Sequence, residues 1–207
     1  MEIHLTELSK RFNREWIFHD LTFTFSANTI YAIVGPNGSG KSTLIRIVSG
    51  QMPFTSGKIV YSNNGIEIPV DTIYKEIAIA APYIELIEEL TLEEIWKFHF
   101  KFKKGPLIKN IVEVTQILGL ERGKGKAIKN YSSGMKQRLK LGLVFFSDVN
   151  LLLLDEPTSN LDQNGMEMYL SLMENWKLDR TILIGSNQAQ EYQMSDAKLD
   201  VLAFRKI

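Results

Sequence analysis

The chain has 207 residues, of which 44% are hydrophobic and 23% charged, and 24 Lys+Arg balance 24 Asp+Glu to a net charge of +0. That length suits one compact domain, or a domain with a subdomain, and the balanced charge leaves no whole-molecule footprint for nucleic acid or anionic lipid. The absence of cysteine excludes a disulfide framework and a thiolate metal site, and the longest apolar run, Leu151-Leu152-Leu153-Leu154, is far too short to span a bilayer.

In chain order, residues 2–7 alternate polar and apolar side chains and read as a half-buried strand. No apolar core of signal-peptide length is seen at the start. Residues 9–15 read as a polar turn carrying Phe12. Residues 16–25 (WIFHDLTFTF) are β-branched and aromatic and read as a second strand. Phe12 and Trp16 are the two aromatic candidates for stacking a base, against the plainer reading of subdomain core.

Residues 29–34 form an apolar, β-branched run. Gly35-Pro36-Asn37-Gly38-Ser39-Gly40-Lys41-Ser42-Thr43 follows and reads G-x-x-x-x-G-K-S. After it, apolar residues recur at helical spacing as far as Gly50. Strand, glycine loop and helix together make a phosphate cradle. Backbone N–H groups converge on one spot, and the helix N-terminus adds positive potential there. Lys41 can reach the β- and γ-phosphates, and Ser42 can give its hydroxyl to Mg²⁺.

Residues 58–62 and 66–70 flank Asn64-Gly65, a strong hairpin signal. Residues 77–80 form a short buried strand stopped at Pro82. Thr91-Leu92-Glu93-Glu94 is a capping box that opens a helix to about Lys104, and Pro106 starts a second helix over residues 107–118, closed by Gly119. Residues 90–143 therefore read as a helical insertion in an otherwise α/β chain. His4, His19 and His99 carry no ligand pattern and read as structural or solvated.

Tyr131-Ser132-Ser133-Gly134-Met135-Lys136-Gln137-Arg138 opens a helix that continues to Phe146. Residues 151–154 then run into Asp155-Glu156-Pro157, an apolar strand ending in two carboxylates. Acids at the carboxyl end of a parallel strand lie where ligands bind in such folds. Asp155 can hold Mg²⁺ opposite Ser42, and Glu156 can orient and deprotonate an attacking water. Residues 163–176 read as a helix, 181–185 as a buried strand, 188–194 as a short helix and 199–204 as a last strand. The alternation argues a mostly parallel sheet with helices on both faces.

The order GPNGSGKST, YSSGMKQR, LLLLDEPTSNLD resembles the ATP-binding subunit of ABC transporters over essentially the whole chain, taken as one domain of residues 1–207. The resemblance implies a P-loop NTPase with a mostly parallel sheet, an antiparallel β subdomain and a helical subdomain. It implies ATP and Mg²⁺ as ligands and ATP hydrolysis that powers transport through a separate integral membrane subunit. Ser133, Gly134 and Met135 fall in the family signature, which caps the γ-phosphate held by a second ATP-binding subunit in a head-to-tail dimer. Ser159-Asn160-Leu161-Asp162 matches the loop joining the two sites. Phe12 falls at the adenine-stacking position. A cytoplasmic location follows, peripheral at the inner face of the membrane, with no nucleic acid expected as partner.

Two departures from the family pattern stand out. A glutamine is expected just after the strand at residues 77–80, where the chain reads Ala81-Pro82-Tyr83. A histidine is expected at Asn187, whose amide donates a hydrogen bond but accepts no proton. They predict slowed hydrolysis with Lys41, Glu156 and Asn187 as the catalytic set. They also keep open an alternative of another class, a nucleotide-gated dimerisation module with very slow or no turnover. A soluble ABC-type ATPase acting on nucleic acid fits less well, since neither a second ATPase unit nor a coiled-coil insertion is present. No N-K-x-D motif for guanine is found.

Overall fold

The computed structural model describes residues 1–205. Its centre is a five-stranded parallel sheet in the order β6-β7-β8-β3-β9. The strands are β3 (Ile30–Val34), β6 (Ile77–Ala80), β7 (Leu151–Asp155), β8 (Thr181–Gly185) and β9 (Ala197–Asp200). β1 (Glu2–Phe12), β2 (Glu15–Phe25), β4 (Ser56–Asn63) and β5 (Ile66–Ile68) form a separate antiparallel sheet, ordered β2-β1-β4-β5.

Strand side chains alternate between faces, so β7 feeds two cores. Leu151 and Leu153 pack with Tyr31, Ile33 and Leu183 against Leu44, Ile45 and Val48 of α1 (Lys41–Val48), and this core continues into the antiparallel sheet. Leu152 and Leu154 pack with Ile182 and Ile184 against α4 (Ser133–Phe145) and α5 (Gln163–Trp176). A strand buried on both faces has no reason to alternate in polarity, which is why β7 and β8 are continuous apolar runs.

Local signals place several elements where the sequence reading puts them. Asn64 and Gly65 both take positive φ, 51° and 78°, in a two-residue connection between β4 and β5. That pair of left-handed residues is the hairpin turn that matches strand twist. Thr91 caps α2 (Leu92–His99): its backbone N–H donates to the Glu94 carboxylate at 2.8 Å, and its hydroxyl accepts from the Glu94 N–H.

The structure corrects five of the expected elements. β1 runs through the expected turn to Phe12, because pairing with β2 persists through irregular register and only Asn13-Arg14 turn. α2 stops at His99 rather than near Lys104. Lys103 leaves the helical path and donates to the carbonyls of Tyr74 and Ile77. α3 covers Ile111–Ile117, capped by Asn110, and starts four residues after the predicted position. Leu107 instead donates its N–H to the Phe146 carbonyl, and Pro106 bridges to Ser147, tethering this segment to the end of α4. The last strand is Ala197–Asp200, after which Asp200 accepts from the Leu202 N–H and turns residues 201–204 into a 3₁₀ helix. The helix expected at residues 188–194 is likewise one 3₁₀ turn, Ala189–Tyr192.

His99 is a structural residue. Ser147 Oγ donates to the Leu143 carbonyl, so it accepts from His99 Nε2–H at 3.0 Å, which sets the neutral tautomer. Burial, with Lys103 adding, lowers its pKa to about 4. The unfolded chain then takes up a proton near pH 6.5 that the native state refuses until about pH 4. Stability from this residue is complete above pH 6.5 and is lost as pH falls toward 4. Chemical denaturation from pH 7 to 4 is expected to show a shallower loss in His99→Gln than in the parent chain.

Candidate active site

Four neighbouring strands end at the same level, and the loops leaving them build one site. From β3 comes the loop of residues 35–43. Gly40 takes φ +106° immediately before α1, and a Cβ there would lie 2.5 Å from Ile17 Cγ2, so both the conformation and the contact require glycine. α1 has no side-chain cap at this end. Its first N–H groups therefore face outward, available to an anion. Lys41 is 5% exposed, and its ammonium donates to the carbonyls of Gly35 at 2.8 Å and Pro36 at 3.0 Å. Its hydrogen-bond partners are carbonyls of its own loop and among the described residues no carboxylate pairs with it, so it is available to an anionic ligand.

From β8 comes Asn187, whose amide donates to Asn37 Oδ1 of the glycine loop at 3.0 Å. Ser186 N–H donates to Ile33 O, tying this loop to the end of β3. From β7 come Asp155 and Glu156. Glu156 has φ +45°, a strained value for a residue with a Cβ, and its N–H donates to Gly185 O at 2.9 Å. The strain turns the Glu156 side chain off the strand, and it lines a cavity of about 300 Å³ with Ile17, Asn37, Lys41, Ser42 and Thr43.

Asp155 is 1% exposed and neither carboxylate oxygen has a hydrogen-bond partner. Burial pushes its pKa up to about 6, with Glu156 adding, while the Ser42 hydroxyl beside it, Lys41 and Arg46 pull the other way. A buried acceptor without a partner costs on the order of 1–3 kcal/mol, more when charged. An oxygen-seeking divalent cation between Asp155 and Ser42 would offset that cost. Among the described residues no cluster of three His, Cys, Asp or Glu is present. Two protein oxygens suit a cation that takes its other ligands from water and phosphate.

The signature residues lie elsewhere. Ser133 and Gly134 open α4 and do not line this cavity. A Cβ on Gly134 would lie 3.0 Å from Asn160 O, so α4 sits directly against the loop of residues 159–162. Arg138 pairs with Asp162 at 2.7 Å, and Asp162 also caps α5 through the Gly165 N–H. Phe12 is 43% exposed at the end of β1, with the Lys10 ammonium 4.6 Å from its ring centroid, and it too stands outside the cavity. Trp16 is taken up by His19, packed edge-on at 4.5 Å, and by Arg11.

Three contributors were not named as site residues from the sequence. Ser132 is the residue whose hydroxyl caps α4, accepting from Met135 N at 3.2 Å; the small-polar cap pattern marks it in retrospect. Ile17 forms the apolar wall against Gly40. Tyr83 follows β6 and stacks under the Arg46 guanidinium, 3.7 Å from its ring centroid. Burial first, and Asp155 second, push its pKa to about 12, with Arg46 opposing. No local pattern marks these last two.

The ABC transporter family pattern matches residues 18–159. The chain is 28% identical over 190 residues to the uncharacterized ABC transporter ATP-binding protein YybJ of Bacillus subtilis, covering 91% of this chain and 87% of that one. It is 27% identical to the human retinal-specific phospholipid-transporting ATPase ABCA4, covering 88% of this chain but only 8% of that much longer protein. It superposes on the dimeric post-hydrolysis ATP-binding cassette MJ0796 bound to ADP and Pi with a TM-score of 0.82, at 18% identity, covering 97% and 95% of the two chains. Among the described residues no helix is long and apolar enough to cross a membrane.

Lys41→Ala is expected to lower nucleotide affinity by well over tenfold, as removal of a charge-assisted contact to phosphate. Calorimetric titration with ATP in EDTA checks this; unchanged affinity would remove the phosphate-loop assignment.

Proposed function

The chain belongs to the ABC transporter family, and from that membership we propose how its residues bind ATP with Mg²⁺ and hydrolyse it to drive a separate membrane subunit. The observation that carries the proposal is the convergence of three strand ends. The glycine loop with Lys41 and Glu156 line one pocket, Asn187 bonds to Asn37 on its wall, and Asp155 lies buried next to Glu156 in the chain. As a member of the family, the chain is an ATP-binding subunit with ATPase activity.

In this reading the α1 N-terminus and Lys41 bind the β- and γ-phosphates, with Lys41 exchanging the Gly35 and Pro36 carbonyls for phosphate oxygens. Ser42 and Asp155 hold Mg²⁺, which when bound offsets the charge that gathers on the phosphates. Glu156 accepts a proton from the water that attacks the γ-phosphorus, while the bond to the β–γ bridging oxygen breaks. Asn187 donates a hydrogen bond toward the γ-phosphate and takes no proton. Phe12 offers a half-exposed ring to the adenine.

Ser133 and Gly134, with the Ser132 cap, lie outside their own chain's pocket, which suits contact with nucleotide on a second copy in a head-to-tail dimer. Beside Tyr83, an apolar groove of about 210 Å³ lies between the segment after β6 and α2. Ile87, Phe98 and Phe102 line it and are 42%, 42% and 60% exposed. This groove is the place for the membrane subunit, and the chain then sits at the cytoplasmic face.

Phosphate release from ATP and Mg²⁺ is expected to rise more than proportionally with protein concentration, and Glu156→Gln to abolish it while retaining ATP in a dimer. Asn187→His is expected to raise turnover, by up to about a hundredfold if one transition-state donor is being restored. Release no greater than that of Glu156→Gln at every concentration, even with the membrane subunit present, would overturn the ATPase reading for a module that closes on ATP without turnover.

A further inference from the structure

Behind the pocket, three polar side chains lie in the interior with their hydrogen bonding incomplete. Both carboxylate oxygens of Asp155, the Tyr83 hydroxyl and the Arg46 Nε are buried without a partner. Their proximity follows from the chain path. β6 pairs in parallel with β7, Ala80 opposite Leu154, so the segment leaving β6 runs beside Asp155. The Ile84 N–H donates to the Ala81 carbonyl at 3.1 Å, which closes a tight turn around Pro82 and Tyr83. Arg46 stands one helical turn beyond Ser42 on α1, so the two share a face. Its guanidinium covers the Tyr83 ring at 3.7 Å and fixes where the hydroxyl sits.

Buried polar groups in native proteins are paired, and a cluster of them left unpaired points to a polar guest. A hydroxyl donor beside an all-acceptor carboxylate is the complement of a water molecule ordered by a cation. Ala81 and Pro82 offer no side-chain donor there; Tyr83 does.

We propose that Tyr83 is a metal-positioning residue, its hydroxyl hydrogen-bonding a water in the shell of the divalent cation that Asp155 and Ser42 hold with the nucleotide. This rests on the nucleotide-binding reading above. Tyr83 reaches the cation through water, and Arg46 acts one step further back by clamping the ring.

Tyr83→Phe keeps the ring under Arg46 and removes only the hydroxyl. The test is calorimetric affinity for a non-hydrolysable β,γ-imido ATP analogue, measured once with Mn²⁺ and once in EDTA. The parent chain is expected to bind more tightly with Mn²⁺. Tyr83→Phe is expected to lose about tenfold in Mn²⁺, the scale of one charge-assisted hydrogen bond, with its EDTA affinity and melting temperature unchanged. Equal affinity of the two proteins in Mn²⁺, or an equal loss in both media, would overturn the proposal and leave the phosphate loop standing. A parent chain that binds no analogue in either medium would overturn this proposal together with the function it rests on.

Discussion

The in-register parallel pairing of β6, β7, β8 and β3 is the constraint on which the rest depends. Ala80 lies opposite Leu154, Asp155 opposite Gly185, and Ile33 opposite Gly185. All four strands therefore run out at one level, and residues more than 100 positions apart become neighbours. The ladder holds because both faces are covered by apolar side chains: α1 packs on one and α4 with α5 on the other.

Polar costs collect at that edge and nowhere else along β7. Leu151 to Leu154 are fully buried and apolar; the next residue is an unpaired buried carboxylate, and the one after it has a left-handed backbone. A rigid, apolar scaffold can hold a strained and undersatisfied rim because its own stability does not depend on it. The same division explains Lys41, whose ammonium is buried yet bonded only to carbonyls of its own loop.

Beyond the pocket, polar contacts link the elements around it. Gln137 of α4 donates to Pro157 O at 2.7 Å, just after Glu156. Arg138 holds Asp162, and the buried Glu191 accepts from the Thr158 N–H at 2.8 Å and from its hydroxyl. Glu191 follows Asn187 in the 3₁₀ turn after β8. Two buried hydrogen bonds thus connect the signature helix to the acidic strand end and that strand end to the turn after Asn187, with the exposed Arg138–Asp162 pair beside them.

Much of this was legible in the chain itself, because its signals are local. The glycine loop works through backbone conformation and immediate neighbours, the Asn64-Gly65 hairpin through two left-handed residues, and β7 through an unbroken apolar run ending in acids. The family resemblance rested on the same local motifs. Helix boundaries failed where a distant partner outbid helix propensity, as with Lys103 reaching the β6 strand start and Leu107 donating to Phe146, while the last strand was cut short by a local cap, Asp200 accepting from Leu202. In the site, the resemblance had already assigned Ser133 and Gly134 to a second subunit's nucleotide, and the fold leaves them outside their own chain's pocket; that Phe12 also stands outside it was not legible in the sequence. Ile17, Arg46 and Tyr83 carry no motif. They matter because sheet register and the packing of α1 bring them to Asp155 and the glycine loop, and contacts of that kind are created by tertiary structure. The sequence by itself determined which chemistry the chain holds; the tertiary structure decided which groups share a pocket, since distance in space is fixed by burial and register and not by position along the chain.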